Sequence, residues 1–364
     1  MTSINVQVQS NAGVVLAAPQ PISGDYTLKE RGVGSLTLTY PPTISASTFQ
    51  KDGRVVLSYN GIAEGGTWLI RRVQQKLANR ERSLVVTCVH ANHLLSRRIV
   101  AYAAGSAQAS KTGHADDLMK AIVRENFTAP TDATRTMSAT YGIGSIDDDA
   151  GAGPTVTTAF SRQTVLKVLQ DLADLSAAQG TYVGFEVRTV GSALTFGTYT
   201  QQRGIDRRSG AAGYLYVSPS TGAIASSTYD QNWTDEKTYI YAVGQGTDVS
   251  RAIGTATNAT ATALSPLGRI EDAYQDNGTA DTATLDDDAA QQIYAQRAQI
   301  RYEAQAQDSP AFIYNRDYAW GDFLTISDFD QIFNCRVDPA HVTWGRDGVR
   351  LDNRFIYDST GAAL

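Results

Sequence analysis

Residues 317–357, DYAWGDFLTISDFDQIFNCRVDPAHVTWGRDGVRLDNRFIY, decide the fold class. Four short runs within them are rich in β-branched and aromatic residues, which suit a pleated, half-buried surface. Turn chemistry separates these runs: Gly321-Asp322 precedes Phe323, Leu324, Thr325 and Ile326, Asp338-Pro339 precedes His341, Val342, Thr343 and Trp344, and Arg346-Asp347-Gly348 precedes Val349. The pattern predicts a β-meander. Asp347-Gly348 suits a type I′ hairpin, because both central residues of that turn need positive φ. Val349, Leu351 and Phe355 alternate in part with Arg350, Asp352 and Arg354, so the last strand is expected to cover a core with one face and carry charge on the other.

Working outward, the first hundred residues also read as β. Ile4, Val6 and Val8 alternate, Asn11-Ala12-Gly13 punctuates, and Val14, Val15 and Leu16 follow, which predicts a first hairpin. Residues 35–40 form a strand stopped by Pro41-Pro42, and residues 55–59 form another after the turn Lys51-Asp52-Gly53-Arg54. Residues 66–73, a polar turn at 79–82, and residues 84–89 continue the pattern. The last of these is apolar on both faces, so it must bury two surfaces, the second against another subunit or the region that follows.

Past residue 101 the period changes. Ala115-Asp116-Asp117 opens a helix with Leu118, Met119, Ile122, Val123 and Phe127 on one stripe, and the two carboxylates favour the positive end of its dipole. Residues 128–158, glycine-rich around Asp147-Asp148-Asp149, read as a flexible loop. Ser161 is expected to cap a second helix with the stripe Val165, Val168, Leu169, Leu172 and Leu175, ended by Gly180. A hairpin turned by Gly191-Ser192 follows. Residues 239–243 are expected to open a second β block, and Thr284 to cap a helix over residues 285–303. The expected fold class is mainly β with an α/β insert: two β-barrel domains, at 1–104 and 236–364, flanking an insert at 105–235.

Composition excludes several roles. Forty-two per cent hydrophobic and 19% charged residues are ordinary for a folded chain of 364 residues. No apolar run approaches the roughly 20 residues that cross a bilayer, and Met1-Thr2-Ser3-Ile4-Asn5 lacks the basic start of a signal peptide. A net charge of −6 argues against a nucleic-acid-gripping surface, although Arg71-Arg72, Arg97-Arg98 and Arg207-Arg208 remain as local contact points. Cys88 and Cys335, each in a strand-like run, read as buried free thiols, with a disulfide as runner-up.

No stretch carries a catalytic or metal signature. Asp286-Asp287-Asp288 reads as a helix-start charge run, since consecutive helical side chains point about 100° apart. Asp147-Asp148-Asp149 lacks the spaced ligands and closing Glu of a calcium loop. Cys88, His90 and His93 lack a fourth zinc ligand nearby, and a strand places His93 opposite the other two. Glycine elbows, phosphate loops and Cys-x-x-Cys pairs are absent from the sequence. The reading is therefore a non-enzyme with no catalytic, cofactor or metal residues.

In its order of Asp-Tyr-x-x-Gly-Asp, strand, turn and Asp-Gly hairpin after a helix, the 317–357 stretch resembles the last barrel domain of tail hub proteins of long-tailed phages. Residues 66–100 resemble the same family, and together the two segments cover roughly half the chain. The resemblance implies two tail-tube-type barrels per subunit, so that three subunits present six barrels to a six-fold tube. It implies a homotrimeric ring capping the tail tube in the virion, with a distal tail or tube protein ring above, a tape measure protein in the lumen and a central tip or fibre protein below. DNA would pass through without specific binding, during ejection into the host, along a lumen lined by carboxylates. Hub proteins often carry C-terminal fibre-like or hydrolase extensions. This chain ends after the meander, so such an activity is expected on a separate chain. Two alternatives stand beside the hub: a host-surface-binding adhesin or distal tail protein, and a cell-wall hydrolase with an acid pair such as Glu186 and Asp206. The 18 tyrosines would suit carbohydrate binding where they cluster on the surface, but those in strand patterns, such as Tyr239, Tyr241 and Tyr357, serve core and interface roles equally well.

Overall fold

Alternating apolar and polar residues send every second side chain of an extended strand to one face, and this period builds most of the molecule. The computed structural model describes residues 3–78, 81–101, 109–310 and 312–358. A nine-stranded antiparallel sheet runs in the order Val15–Ala17, Ile4–Gln9, Arg54–Tyr59, Ile62–Ala78, Glu81–His90, Ser35–Tyr40, Ser23–Thr27, His341–Gly345 and Gly348–Asp352. A seven-stranded sheet has the path Asp206–Arg207, Phe323–Asp328, Gln331–Val337, Arg354–Asp358, Gln299–Ala306 and Ile224–Asn232, with Tyr216–Val217 also paired to Phe323–Asp328. One hydrophobic core serves both sheets, joining Val6, Leu36, Tyr40, Trp68 and Val86 of the first to Tyr302, Leu324, Phe333 and Phe355 of the second.

The fold class is as expected, mainly β with an α/β region, but the sheets do not follow the expected boundaries at 104 and 235. The meander divides. Its first, second and last strands join the seven-stranded sheet, while the hairpin His341–Gly345 and Gly348–Asp352 crosses to the nine-stranded sheet and pairs with Ser23–Thr27. A Cβ on Gly24 would collide with Trp344 Cζ2, so the indole takes the place of a side chain there. The hairpin also differs in its turn. Gly345 pairs with Gly348, the two-residue loop is Arg346-Asp347, and of these residues only Gly348 has positive φ, at +103°. The missing side chain of Gly348 therefore matters just after the loop rather than inside it.

Helices α1 (Ala115–Val123), α2 (Val165–Ala178), α3 (Ala259–Leu264) and α4 (Thr282–Ala295) lie outside the two large sheets. The second core packs α1 and α2 on the hairpin Val183–Val190 and Ala193–Thr200. The cap of α2 is Thr164, whose hydroxyl accepts from the Lys167 amide at 3.3 Å, in place of the expected Ser161; Gly180, at φ +88°, follows the helix end. Helix α4 stops at Ala295 rather than 303, and its cap is Asp281 rather than Thr284. Gln299–Ala306 is instead a strand that buries Tyr302, Ala304 and Ala306, a period of two that Ile300 had disguised as a helical stripe. Residues 239–243 do not open the second large sheet. Tyr239–Val243 is the centre of a three-stranded sheet with Ile253–Thr257 and Glu271–Gln275, and Ile240 and Ala242 pack with Leu285 and Ala289 of α4.

The expected loop at 128–158 contains two strands. Ile143–Ile146 pairs in parallel with Ala193–Thr200, and Thr155–Phe160 pairs with Ala109–His114. Its acidic run is held by cations: Arg188 Nη2 reaches both Asp147 oxygens at 2.8 and 2.7 Å, Lys120 Nζ donates to the Asp148 carbonyl at 2.8 Å, and Arg124 meets Asp149 at 3.1 Å. Charge pairing thus holds the acidic run between Ile143 and Val156, which are buried in the second core. The polar turn expected at 79–82 lies partly outside the described residues.

Candidate assembly surface

A buried polar knot fixes the two large sheets and the insert against one another. Pairing between Arg54–Tyr59 and Ile62–Ala78 slips between Val56 and Leu57, where Gly65 and Gly66 adopt φ +65° and +68°. Glu64, beside this bulge, is 3% exposed. Its carboxylate accepts from the Tyr314 hydroxyl at 2.7 Å and from Asn315 Nδ2 at 2.6 Å, both in the segment leading into the second sheet. Burial raises the Glu64 pKa above the usual carboxylate range, against the pull of those two bonds and of the Arg203 charge. Arg203 in turn stacks on Trp320, 4.1 Å from the ring centroid, and binds Glu186 at 2.9 Å. His90, edge-on to Trp68, is pushed down to about 4 by burial and then by Arg203, with a backbone bond to Gly65 opposing.

Further polar ties hold the insert. Arg54, 1% exposed, donates to the carbonyls of Ser192 (2.7 Å) and Thr140 (3.1 Å). Asn92 accepts from the Val187 amide at 2.7 Å, and Arg31 meets Asp174 at 2.9 Å. Arg336 lies 3.8 Å over the Tyr182 ring, whose hydroxyl bonds to Glu30. These links make the three parts one body and leave the sheet edges as its open surfaces.

The residues singled out by sequence are spread across this body. Cys88 and Cys335 are both buried free thiols, and burial raises both. His90 Nδ1 accepts from the Asn92 amide at 3.2 Å, whereas His93 Nδ1 meets the Ser96 hydroxyl at 3.2 Å. Asp286 accepts from the Thr255 amide, and Asp287 accepts from Thr157 and from Gln179, tying α4 to neighbouring strands. Asp288 is pushed up to about 6 by burial and then by Asp276 and Asp287. Glu186 binds Arg203 and Asp206 binds Arg208, so each member of the candidate acid pair has its own cation. Of the arginine pairs, Arg71 and Arg97 share Asp52, and Arg207 binds Asp322 at 2.8 Å. Tyr239 and Tyr241 contact one another at 4.8 Å between centroids, while Tyr357 packs beside Phe333. Sequence reasoning missed Glu64, Arg203 and Asn315. The Gly65-Gly66 pair was the one signal of a bulge there.

Each of the two large sheets ends on an outer strand at either side, and two of these outer strands are the most exposed to a partner. Val15–Ala17 ends the nine-stranded sheet and, with Val14, exposes Val15 and Leu16; Ile224–Asn232 ends the seven-stranded sheet as a nine-residue strand with a mostly exposed pattern. Ile224–Asn232 carries no Pro or Lys, the residues that usually blunt an edge. Such edges present free backbone donors and acceptors to another chain. Among the described residues no helix is long and apolar enough to cross a membrane.

A family model described as Siphovirus ReqiPepy6 Gp37-like protein matches residues 18–355. No curated protein matches the chain. Among solved structures, the chain is similar to the tail protein from Neisseria meningitidis MC58, with a TM-score of 0.59 and 11% identity, over 100% of this chain and 99% of that one. It is similar to the prophage MuSo2 tail protein from Shewanella oneidensis (TM-score 0.58, 10% identity, 99% of each chain). It is also similar to the prophage tail protein gp18 from Listeria monocytogenes EGD-e (TM-score 0.53, 11% identity, 98% and 94%). At these identities the likeness is one of fold.

Proposed function

The chain belongs to the Siphovirus ReqiPepy6 Gp37-like family, and from that membership we propose that it is a structural protein of the phage tail that forms the hub of the tail tip. Three copies close a ring at the end of the tail tube. A distal tail or tube ring stacks above it, the tape measure protein enters its lumen, and a tip or fibre protein attaches below. The observation that carries this reading is the family match over 18–355 on a fold whose end-to-end likeness is to proteins solved as tail proteins. The open edges at Val15–Ala17 and Ile224–Asn232 supply dissimilar surfaces, and a head-to-tail contact between dissimilar surfaces closes into a ring of three when each contact rotates the next copy by a third of a turn. The role is non-enzymatic, and DNA passes through a lumen that is acidic because like charge removes the electrostatic part of DNA binding.

Mass measurement in the assembled tail tests this reading. Three copies of 39.1 kDa give about 117 kDa for the ring. A trimer at the tail tip is expected; a dimer or hexamer of this chain there, or a basic lumen in the assembled ring, would sink it.

A further inference from the structure

At the end of the seven-stranded sheet, where Asp206–Arg207 and Tyr216–Val217 both pair in parallel with Phe323–Asp328, lies an open groove. Its volume is ≈ 670 Å³, and Tyr214, Tyr216, Arg208, Asp206, Asn334 and Ile332 are among its lining residues. We propose that this groove binds a neutral saccharide, a function separate from the ring assembly described above.

Three features select that chemistry. Leu215 packs against the large core, so Tyr214 and Tyr216 on either side of it turn outward, 43% and 52% exposed. Two exposed aromatic rings lining one groove offer the amphipathic surface, apolar body with polar tip, on which a sugar ring stacks. Arg208 is bound by Asp206 through two side-chain bonds, at 3.0 and 2.8 Å, and lies 4.3 Å from the Phe323 ring centroid. That pairing cancels the guanidinium charge, so the groove has no excess cation to draw a phosphate or carboxylate. Polar capacity remains nevertheless. Asn334 Oδ1 accepts from the Thr325 hydroxyl at 3.3 Å, while its amide nitrogen has no protein partner among the described residues. One unused donor beside one carboxylate, in an aromatic-sided groove, matches hydroxyl groups that both donate and accept.

The test uses the purified full chain and saturation-transfer NMR with maltohexaose, cellohexaose and a β-galactan oligosaccharide as probes. Transfer to at least one of them is expected, with affinity about tenfold weaker in Tyr216→Ala and in Tyr214→Ala, the loss of one good contact. Tyr216→Phe keeps the ring and should keep the binding, and Asn334→Ala should weaken it. Because both tyrosines are exposed, the thermal transition of each variant should match that of the parent chain. The proposal is overturned if none of the neutral probes binds, if binding survives both alanine substitutions, or if heparin binds while the neutral sugars do not.

Discussion

Glu64 concentrates the energetic stakes at the residue scale. Glu64→Ala leaves the Tyr314 hydroxyl and the Asn315 amide buried without their acceptor, so a loss of about 3 kcal/mol is expected, read as a lower urea midpoint. The two buried titrating groups of the knot act in opposite directions. His90 titrates at about 4 in the fold against 6.5 ordinarily, so its neutral form contributes stability above pH 6.5 that is lost as pH falls towards 4. Glu64 is raised, so its contribution is present at low pH and lost as pH rises through its folded pKa. The difference in urea midpoint between the parent chain and His90→Gln should therefore shrink as pH falls from 7 to 4, and a difference that does not change with pH would contradict the assignment. None of this was legible in the sequence. A lone Glu before two glycines looks like a polar turn, and only the partners supplied from 250 residues further on reveal it as buried.

Elements were more legible where a single period ran uninterrupted. Strands near 4–8, 35–40 and 55–59, helices α1 and α2 and the Gly191-Ser192 hairpin follow directly from alternation, stripes and turn residues. The failures share a physical cause: the deciding partner is remote. Nothing within 317–357 distinguishes strands bound for one sheet from the hairpin bound for the other, because the choice is made by Ser23–Thr27 and by the space above Gly24. Gly24→Ala should push Trp344 off that site and cost about 2 kcal/mol by overpacking. Hydrogen exchange should then quicken in His341–Gly345 while Phe323–Asp328 stays protected; equal quickening of both would argue against local detachment. The 142–154 segment, which composition alone makes look mobile, should resist limited proteolysis. Arg188→Ala, by freeing Asp147, should expose it to cleavage, and a segment nicked as readily in the parent chain would contradict the pairing described above.

Across the whole molecule, stability is distributed unevenly. The large core crosses from one large sheet to the other, so these two sheets should lose structure in a single transition. The three-stranded sheet with α4 has a core of Ile240, Ala242, Leu285 and Ala289, far smaller than the other two. It should open first, with amides of Tyr239–Val243 and α4 exchanging ahead of those in Ser35–Tyr40; the reverse order would show that its ties through Asp286 and Asp287 outweigh its small core.

The crossing of the hairpin at 341–352 from one sheet to the other bears on synthesis. A ribosome delivers Ser23–Thr27 hundreds of residues before the strand that lies against it, and chains emerge at about 5–20 residues per second. The nine-stranded sheet therefore waits, with an unfilled flank, until residues 341–352 have been made. A chain released early would lack that hairpin and the Arg354–Asp358 strand together, leaving both large sheets unfinished at once. Synthesis through residue 358 thus becomes the checkpoint for building both large sheets.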